Sequence, residues 1–326
     1  MSIMGRTQYL SRIVSAYLTA RPSHLTFWHD TPEANPRANV HTLGEYYMSF
    51  AEKADYGGSH DPKGIPLLNY HGRIGLQYNP IAIAQWGLGN YNQARHSGDE
   101  LSRSRFLKAS DWLCANLQQN SLGAWVWNHH FDWEYRDSLR APWYSGLAQG
   151  QGISLLVRAY HETGCSKYGE AAERAFASFL KSTHEGGVTF HDRRGGVWFE
   201  EYIVSPPTHI LNGFMWATWG VYDFCLSTRS AIAKTLFEQA VKTLLTNLDR
   251  YDLGFWSLYE QSGTLLPMIA SAFYHRLHIV QLRTMHRLTG EPAFAALADK
   301  WETYNRRHVN RTGAFCCKAV FKLCYY

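Results

Sequence analysis

The chain of 326 residues has few cysteines for its length, and they follow no metal-binding or disulfide pattern. The six are Cys114, Cys165, Cys225, Cys316, Cys317 and Cys324. Because zinc-type Cys-x-x-Cys spacing and a dense framework are both missing, the pattern argues against a zinc module and against a disulfide scaffold. We therefore expect free, buried thiols.

Long apolar runs are also missing from the N-terminus. The stretch MSIMGRTQYLSRIVSAYLTARPSHLTF is too polar for a signal-peptide core or a membrane span. Lys and Arg form no block, and the net charge of +5 with a pI near 8.8 is a mild basic balance. A nucleic-acid partner is not expected, whereas an acidic substrate is compatible with this charge. The sequence predicts a soluble, cytoplasmic protein.

Several motif classes are absent as well. No GxSxG, Walker or GxGxxG context occurs, and we expect Gly146 and Gly150 to pack inside a helix. His275 and His278 are three residues apart and lack an obvious third ligand. We therefore predict no metal site.

The chain does have many aromatic residues, 12 Trp, 20 Tyr and 16 Phe, which suit a sugar-binding cleft but also fill cores. It also has four similar pairs of helical segments, each with an apolar member followed by an amphipathic one. The apolar members begin at Ile81, Leu147, Leu211 and Phe273. Such pairs predict a mainly α fold, an α/α toroid. The expected form is an incomplete (α/α) barrel of about four helix pairs, and an irregular helical bundle is the alternative.

Short aromatic connections join the pairs, and we expect them to form β-hairpins at the mouth of the toroid and to carry the site. The predicted organisation has three segments. Residues 1–75 are an irregular N-terminal segment packing on the toroid, residues 76–310 are the toroid catalytic domain, and residues 311–326 are a C-terminal tail.

The strongest candidate for chemistry is an acidic pair, Glu200 and Glu201, beside Tyr202. It precedes the almost entirely apolar run from Ile210 to Phe224. A carboxylate at the rim of a buried helix suits a site, although the pair could equally cap the helix and do no chemistry. A second polar cluster, residues 128–132, is either a hydrogen-bonded loop or a catalytic group.

Longer motifs carry a family resemblance. The stretches YNPIAIAQWGLGNY, WYSGLAQGQGISLLVRAY, EEY followed by LNGFMW and GVYD, YDLG…Y, and YHRLHIVQL look like D-glucuronyl C5-epimerases. The resemblance covers most of residues 75–305, chiefly the C-terminal helical domain of those enzymes. They turn D-glucuronic acid into L-iduronic acid within heparosan-type polysaccharides.

Two departures from the family pattern stand out. Animal members insert a β-rich domain between the equivalents of Asn90 and Ala109, where this chain has only a short stretch. After Tyr259 the family has Asp-Leu-Arg, whereas this chain has Glu260-Gln261-Ser262.

The resemblance implies that Glu201 and Tyr202 match the family's catalytic Glu and neighbouring Tyr. It also implies that Tyr259 and Tyr274 match its two further active-site tyrosines. No cofactor is expected, since the carboxylate next to C5 supplies the acidity. The residues that we expect to bind substrate are Tyr144, Gln149, Asn212, Arg276, His278 and Arg73.

Inverting C5 of a uronate needs a base on one face and an acid on the other. Glu201 is the candidate base, because burial against Trp198 and Phe199 would raise its pKa. Tyr274 or Tyr202 is the candidate acid. Support for it is expected from Arg276, His275 or His278, and the substrate carboxylate is expected to meet Tyr259 and an Arg. The sequence does not rank the other candidate arginines, which are Arg73, Arg136, Arg140 and Arg193.

Three other functions stay open. A uronate lyase begins with the same proton and then expels the C4 substituent. A glycoside hydrolase would need two carboxylates, such as Glu201 with Glu260 or Asp252. A catalytically inactive polysaccharide-binding protein would also use the aromatic residues. The expected partner in each case is an acidic polysaccharide, heparosan or a related glucuronan, and a homodimer is left open.

Overall fold

A computed structural model describes residues 27–134 and 138–325 of the chain. Arg136 and the first part of the predicted N-terminal segment, residues 1–26, lie outside this description. The chain divides into two compact units. The larger unit holds residues 35–244, and the smaller unit holds residues 245–325 together with 27–34. Each unit is described below by itself.

Helices dominate both units, and every predicted helix pair is present. The long helices are α1 (Pro80–Ser97), α2 (Glu100–Asn116), α3 (Gly146–Thr163), α4 (Ser166–Phe176), α5 (Leu211–Thr228), α6 (Ala231–Asn247), α7 (Ala272–Thr289), α8 (Pro292–Arg306) and α9 (His308–Tyr325). The four apolar helices, α1, α3, α5 and α7, each begin within one residue of the predicted start. The predicted mainly α fold of the α/α toroid class is confirmed.

Short strands occupy the connections between helices. They are β1 (Leu68–Asn69), β2 (Leu76–Gln77), β3 (Leu117–Gln119), β4 (Trp125–His129), β5 (Trp133–Glu134), β6 (Ser138–Leu139), β7 (Trp143–Tyr144), β8 (Thr189–His191) and β9 (Val197–Phe199). Strands β3, β4 and β7 form a three-stranded antiparallel sheet, and β8 pairs with β9 in a hairpin. The connection at residues 251–260 differs. Its strand pairing consists of two isolated bridges, Asp252↔Ser257 and Leu258↔Ile269.

In the larger unit, α3 and α5 pack against each other at unusually close range. A Cβ atom added to Gly220 of α5 would overlap the carbonyl oxygen of Gly150 on α3. A Cβ added to Gly150 would likewise collide with the backbone of Ala217. The two backbones therefore touch, and only a residue without a side chain fits at these two crossing positions.

The same two helices are joined by a buried ion pair. Arg158 Nη1 of α3 lies 2.6 Å from Asp223 Oδ2 of α5, and both side chains are almost fully buried. Tyr47 donates its hydroxyl to Asp223 Oδ1 at 2.7 Å, and the guanidinium lies over the rings of Tyr46 and Tyr47. This pair also fixes the segment before α1, because Arg158 Nε donates to the carbonyl of Gly44. The irregular stretch 35–75 is thus held on the larger unit by specific polar contacts.

In the smaller unit, α7 packs on α8, and α9 follows α8 directly. Ser271 caps α7 by accepting the backbone N–H of Tyr274 at 3.3 Å. Lys300 of α8 pairs with Asp252 at 2.6 Å, and Lys318 of α9 donates to the carbonyl of Ile269 at 2.9 Å. The segment predicted as a C-terminal tail is therefore helical from 311 to 325 and contacts the 269 region.

The cysteine expectation is partly wrong. All six cysteines are free, but Cys165, Cys316, Cys317 and Cys324 are exposed and none of the six is fully buried. Cys165 is the N-cap of α4, and the other three exposed cysteines lie on the last helix, α9. Across residues 27–134 and 138–325, no helix has both the length and the apolar character needed to cross a membrane.

The glycine contact between α3 and α5 generates a stability prediction. We expect Gly220→Ala to lower the free energy of unfolding by roughly 1–3 kcal/mol, because the added methyl group overlaps the backbone of Gly150. Gly169→Ala on α4 is the matched control, since its Cβ would meet only side-chain atoms of Tyr160 at 3.4 Å or more. That control should be neutral or stabilising. Urea unfolding of both variants measures the difference, and equal stability of Gly220→Ala and wild type would contradict it.

Candidate active site

The acidic pair of the larger unit follows β9 and precedes α5, and two glycines determine where it lies. Gly146, the first residue of α3, donates its N–H to the carbonyl of Glu200 at 2.9 Å, and a Cβ there would collide with that carbonyl. A Cβ on Gly213, in the first turn of α5, would collide with the Glu201 carboxylate. The acidic pair is therefore packed tightly against the first turns of α3 and α5.

Glu201 is buried, with 5% of its surface exposed. Asn212 Nδ2 lies 3.4 Å from its Oε2, Tyr202 also hydrogen-bonds the carboxyl, and among the described residues no cationic side chain pairs with it. Burial raises the pKa of Glu201 to about 8, the hydrogen bond with Tyr202 lowers it in part, and the charge of Glu200 raises it. The carboxyl therefore changes protonation state near neutral to slightly basic pH.

Glu200, its neighbour in sequence, has a different environment. Its Oε2 accepts the backbone N–H of His209 at 3.0 Å, and its Oε1 lies 2.5 Å from Nδ1 of the same ring. His209 is stacked on Trp198 with ring centroids 4.2 Å apart. Glu200 is thus committed to holding the 209 segment in place. The two acids of the pair are therefore not equivalent. Glu200 is hydrogen-bonded to His209, and of the two only Glu201 has a carboxyl without a histidine partner.

An aromatic stack packs on Tyr202. The Trp143 ring meets the Tyr202 ring edge-on at 5.7 Å and is stacked on His129 at 3.8 Å. Strand pairing sets this stack, because His129 lies opposite Trp143 and Asn128 lies opposite Tyr144. Burial lowers the pKa of His129 to about 3, so the ring is neutral. From the polar cluster predicted at residues 128–132, His129 therefore contributes a neutral, ordered ring, whereas Asp132 is exposed and pairs with Arg140.

The predicted substrate-binding residues of the larger unit fall into different environments. Asn212 contacts Glu201, and Tyr144 is half-buried at the end of β7 with its pKa raised by burial. Arg73 is exposed in the turn between β1 and β2. Gln149 is fully buried, where it accepts from Trp127 N and donates to Ser178 and two backbone carbonyls. All of these hydrogen bonds of Gln149 are made within the protein, and they hold β4 against α3.

In the smaller unit, the two predicted tyrosines come together. The rings of Tyr259 and Tyr274 meet edge-on with centroids 4.8 Å apart. Tyr259 is buried and its backbone N–H donates to the carbonyl of Met268, while Tyr274 is half-buried in the first turn of α7. The structure thus brings Tyr259 and Tyr274 into contact within this unit, as it brings Glu201, Tyr202 and Asn212 together within the larger one.

A buried hydrogen-bond chain lies behind these tyrosines. His275 Nε2 is 3.1 Å from the carbonyl of Trp301, Ser257 Oγ is 2.8 Å from His275 Nδ1, and the same Oγ is 3.1 Å from His278 Nδ1. Burial lowers the pKa of His275 to about 3 and that of His278 well below 6.5, so both rings are neutral. As neutral rings they supply no positive charge to the tyrosines.

The carbonyl group at one end of this hydrogen-bond chain determines which atoms donate and which accept. A carbonyl only accepts, so His275 Nε2 carries the proton and His275 Nδ1 accepts from the Ser257 hydroxyl. Ser257 Oγ must then accept from His278 Nδ1–H. His278 Nε2 is left as a buried acceptor that no donor meets within the described part of the chain.

Two charged residues complete the smaller unit's candidates. Glu260 is almost fully buried, and burial raises its pKa to about 7 although the Ser262 hydroxyl and the Lys318 charge lower it in part. Arg276 is half-buried, with its Nε shielded from solvent and without an acceptor in the described residues. Asp252, by contrast, is occupied by Lys300.

Sequence reasoning did not identify three residues that shape the site. Gly213 makes room for the Glu201 carboxylate, His209 occupies Glu200, and Ser257 orients His278. The sequence did hold a signal for Gly213, because a glycine is unusual within the largely apolar motif LNGFMW. Nothing in the sequence linked His209 or Ser257 to a partner, because those contacts arise only on folding.

The raised pKa of Glu201 gives a pH-dependent stability prediction. Since the folded pKa is about 8, above the ordinary 4.5, the folded chain keeps a proton that the unfolded chain loses. The associated stability is complete below about pH 4.5 and is lost as the pH rises to about 8. Glu201→Gln should therefore gain stability relative to wild type as the pH rises from about 4.5 to about 8. The scale is roughly 1.4 kcal/mol per pKa unit.

Urea unfolding at each pH measures this gain. Glu238→Gln, an exposed glutamate of α6, is the matched control and should show a pH-independent difference. A Glu201→Gln difference that stays constant with pH would mean that the carboxyl is not buried in this way.

The histidine chain predicts a definite tautomer. We expect His278 to be neutral and protonated at Nδ1, which ¹⁵N NMR of histidine-labelled protein detects as one protonated and one bare ring nitrogen. Loss of the signal in His278→Gln assigns it. Ser257→Ala removes the acceptor of Nδ1–H and should shift the signal or mix the tautomers. Protonation of His278 at Nε2 in the wild type would rule out the inferred direction.

Comparison with known proteins relates this geometry to a family. Residues 119–303, more than half of the chain, match the family described as D-glucuronyl C5-epimerase C-terminus. A D-glucuronyl C5-epimerase of Caenorhabditis elegans is 30% identical over 215 residues, which cover 61% of this chain and 34% of that protein. An uncharacterized protein of Methanocaldococcus jannaschii is 28% identical over 198 residues, covering 60% of this chain and 63% of that protein. The chain thus spans less than two thirds of the length of these relatives.

Among solved structures, the unsaturated glucuronyl hydrolase of Bacillus sp. GL1, described as responsible for the degradation of glycosaminoglycan, is similar in fold. It is 16% identical, with a TM-score of 0.47, and the similarity covers 69% of this chain and 61% of the hydrolase. The matched family region contains the acidic pair, both tyrosines and the buried histidine chain. On the strength of that match, the chain belongs to the D-glucuronyl C5-epimerase C-terminal family.

Proposed function

We propose that this protein is a polysaccharide uronate C5-epimerase that converts D-glucuronic acid to L-iduronic acid residues in a heparosan-like polymer. The observation that carries the proposal is the Glu201 carboxyl, which is buried, unpaired with any cation in the described residues, and raised in pKa to about 8. Family membership and the relative's name support the reaction type.

The chemistry explains why such a carboxyl is useful. The proton at C5 of a uronate is weakly acidic, and its removal requires a base whose pKa lies near the working pH. An ordinary glutamate with a pKa of about 4.3 is a much weaker base than one shifted toward 8. Glu201 is accordingly proposed to take or return the C5 proton, with Asn212 and Gly213 holding its carboxyl in place.

A tyrosine is the proposed partner in the proton exchange. Tyr274 donates a proton to C5 in one direction and, as the phenolate, removes it in the other. Tyr202 is the alternative donor beside Glu201, and Tyr259 is proposed to bind the substrate carboxylate. Arg276, two residues after Tyr274 on the same helix, is the proposed supporting cation, since His275 and His278 are neutral. No cofactor takes part in this scheme.

One observation favours a second candidate, a uronate lyase. Expulsion of the C4 substituent requires a protonated acid, and Glu260 is a buried carboxyl with a pKa of about 7 directly after Tyr259. The lyase and the epimerase share the first step, so Glu260 decides between them only if it reaches the leaving oxygen. Of the two second carboxylates that a hydrolase could use, Asp252 is held by Lys300, which leaves Glu260. The cytoplasmic location and the homodimer stay predictions.

The function is tested by incubating the protein with heparosan in deuterated water. We expect C5 deuterium uptake and iduronate signals by NMR, without the ultraviolet absorbance of an unsaturated lyase product. Glu201→Gln and Tyr274→Phe should each reduce exchange by at least about 100-fold, the scale of a lost general acid or base. The exchange rate of the wild type should rise with pH toward about 8, as Glu201 loses its proton.

Matched controls are available on exposed surfaces. Glu238→Gln and Tyr160→Phe change the same residue types at exposed positions on α6 and α3, and both should exchange like the wild type. Rising absorbance would establish the lyase, and Glu260→Gln should then abolish it. Absence of exchange with every uronan tested would leave the polysaccharide-binding reading.

A further inference from the structure

A continuous row of aromatic rings leads away from the candidate active site of the larger unit. It runs from Tyr202 through Trp143, Phe131 and Tyr70 to Trp133, and neighbouring ring centroids are 5.7, 5.9, 4.6 and 5.6 Å apart. Trp143 and Phe131 in the middle are buried. Tyr202 at one end, and Tyr70 with Trp133 at the other, are partly exposed. The row thus has accessible rings at both ends.

The outer rings of this row, Tyr70 and Trp133, are held in place by printed contacts on several sides. The Tyr70 hydroxyl accepts from Asn79 Nδ2 at 2.7 Å, and its ring is tilted by 34° over Phe131. Trp133 belongs to the β5–β6 hairpin and meets Tyr70 edge-on. Beneath them, the Trp143 indole N–H donates to the carbonyl of Phe131 at 2.8 Å. Rings that are fixed before a ligand arrives lose little conformational freedom when it binds.

Asn79 places the outer rings at the start of α1, because its side chain also caps that helix. Helix α1 runs parallel to α3. Gln85 in the second turn of α1 donates to Gln151 in the second turn of α3 at 3.0 Å, and Arg95 in the last turn of α1 pairs with Glu162 in the last turn of α3 at 3.0 Å. The starts of α1 and α3 therefore lie at the same end of the larger unit.

Helix α5 runs in the same direction as α3. Gly150 of α3 lies against Ala217 of α5 in the second turns, and Arg158 pairs with Asp223 farther along both helices. Glu201 lies at the starts of α3 and α5, as described above. The outer aromatic rings and the candidate base therefore share one end of the larger unit, and the aromatic row connects them.

Charge around the outer rings is balanced. Residues 131–141 contain three acidic residues and two arginines, and residues 68–77 contain one arginine and no acidic residue, so the two segments together carry no net charge. Arg140 is already paired with Asp132 at 2.6 Å. The outer rings thus offer apolar surface without a surplus of positive charge, which suits an uncharged sugar ring better than a uronate.

We propose that Tyr70 and Trp133 form a platform that binds an uncharged sugar unit of the polysaccharide, flanking the uronate that reacts at Glu201. A sugar ring has apolar C–H faces and polar hydroxyl edges, and Trp and Tyr combine a rigid apolar ring with a polar group in the same way. Tyr202 is the end of the row beside the reacting unit. The nature of the polymer rests on the proposed function, whereas the position of the platform rests on the contacts given above.

Titration calorimetry with a heparosan hexasaccharide tests the platform. We expect Trp133→Ala and Tyr70→Ala each to weaken binding by about 10-fold, the scale of one lost aromatic anchor. Tyr70→Phe keeps the ring and should retain most of the affinity that Tyr70→Ala loses, since the hydroxyl is engaged by Asn79. Because the bound unit is uncharged, the ratio of wild-type to Trp133→Ala affinity should not change with salt.

Two matched controls keep the residue type and change the place. Trp125→Ala removes a partly exposed tryptophan of β4 that packs against Arg174, and Tyr160→Ala removes an exposed tyrosine near the far end of α3. Both should bind the hexasaccharide like the wild type. Thermal melting verifies that every variant is folded.

The kinetics of C5 exchange on the polymer give a second readout. A contact with a flanking unit contributes equally to the ground state and the transition state, so Trp133→Ala should raise KM about 10-fold and leave kcat within about 2-fold. A fall in kcat at unchanged KM would show that the ring acts on the reacting unit, which would overturn the assignment to a flanking one.

Unchanged hexasaccharide affinity in Trp133→Ala and Tyr70→Ala, or no binding of the hexasaccharide by the wild type, would overturn the proposal. An affinity ratio that shrinks as salt increases would mean that the bound unit is charged. Binding that depends on the two rings in a protein without C5 exchange would refute the proposed epimerase function and leave the platform standing. Exchange whose KM is the same in both ring variants would refute the platform alone, so the two proposals fail separately.

Discussion

The close contact of α3 with α5 is the constraint on which the larger unit's candidate site depends. Gly150 and Gly220 let the two backbones touch, and Gly146 and Gly213 let the segment after β9 enter between the helix starts. Because no side chain fits at these positions, Glu201 is pressed against α5 and removed from water. Two of these glycines thus permit the close helix packing, and the other two permit the burial that raises the pKa of Glu201.

Burial has opposite effects on the acidic and basic groups of the two units, and both effects suit proton transfer. Desolvation raises the pKa of Glu201 and Glu260, and it lowers the pKa of His129, His275 and His278. The imidazoles therefore act as neutral, oriented hydrogen-bonding groups. Fixed positive charge near the tyrosines of the smaller unit comes from arginine, which keeps its proton when it is partly buried.

Most of the fold could be predicted because helix pairs leave a strong local pattern. An apolar helix followed by an amphipathic one repeats four times, and each apolar helix begins within one residue of its expected start. The 251–260 connection was less predictable, since its aromatic sequence resembles a hairpin while its ladder is limited to two isolated bridges. The cysteine expectation was wrong on burial, because a thiol's exposure depends on which face of a helix meets water.

Residue identity and motif order by themselves determined the candidate residues: Glu201 beside Tyr202, and Tyr259 with Tyr274. The tertiary structure alone decided what each can do. Glu200 and Glu201 are the same residue type in adjacent positions, yet one is engaged by His209 and the other is buried without a cation in the described residues. Gln149 is held by backbone groups, and Arg276 has no counterion within the structure described. These differences come from desolvation and from partners distant in sequence, which no local pattern encodes.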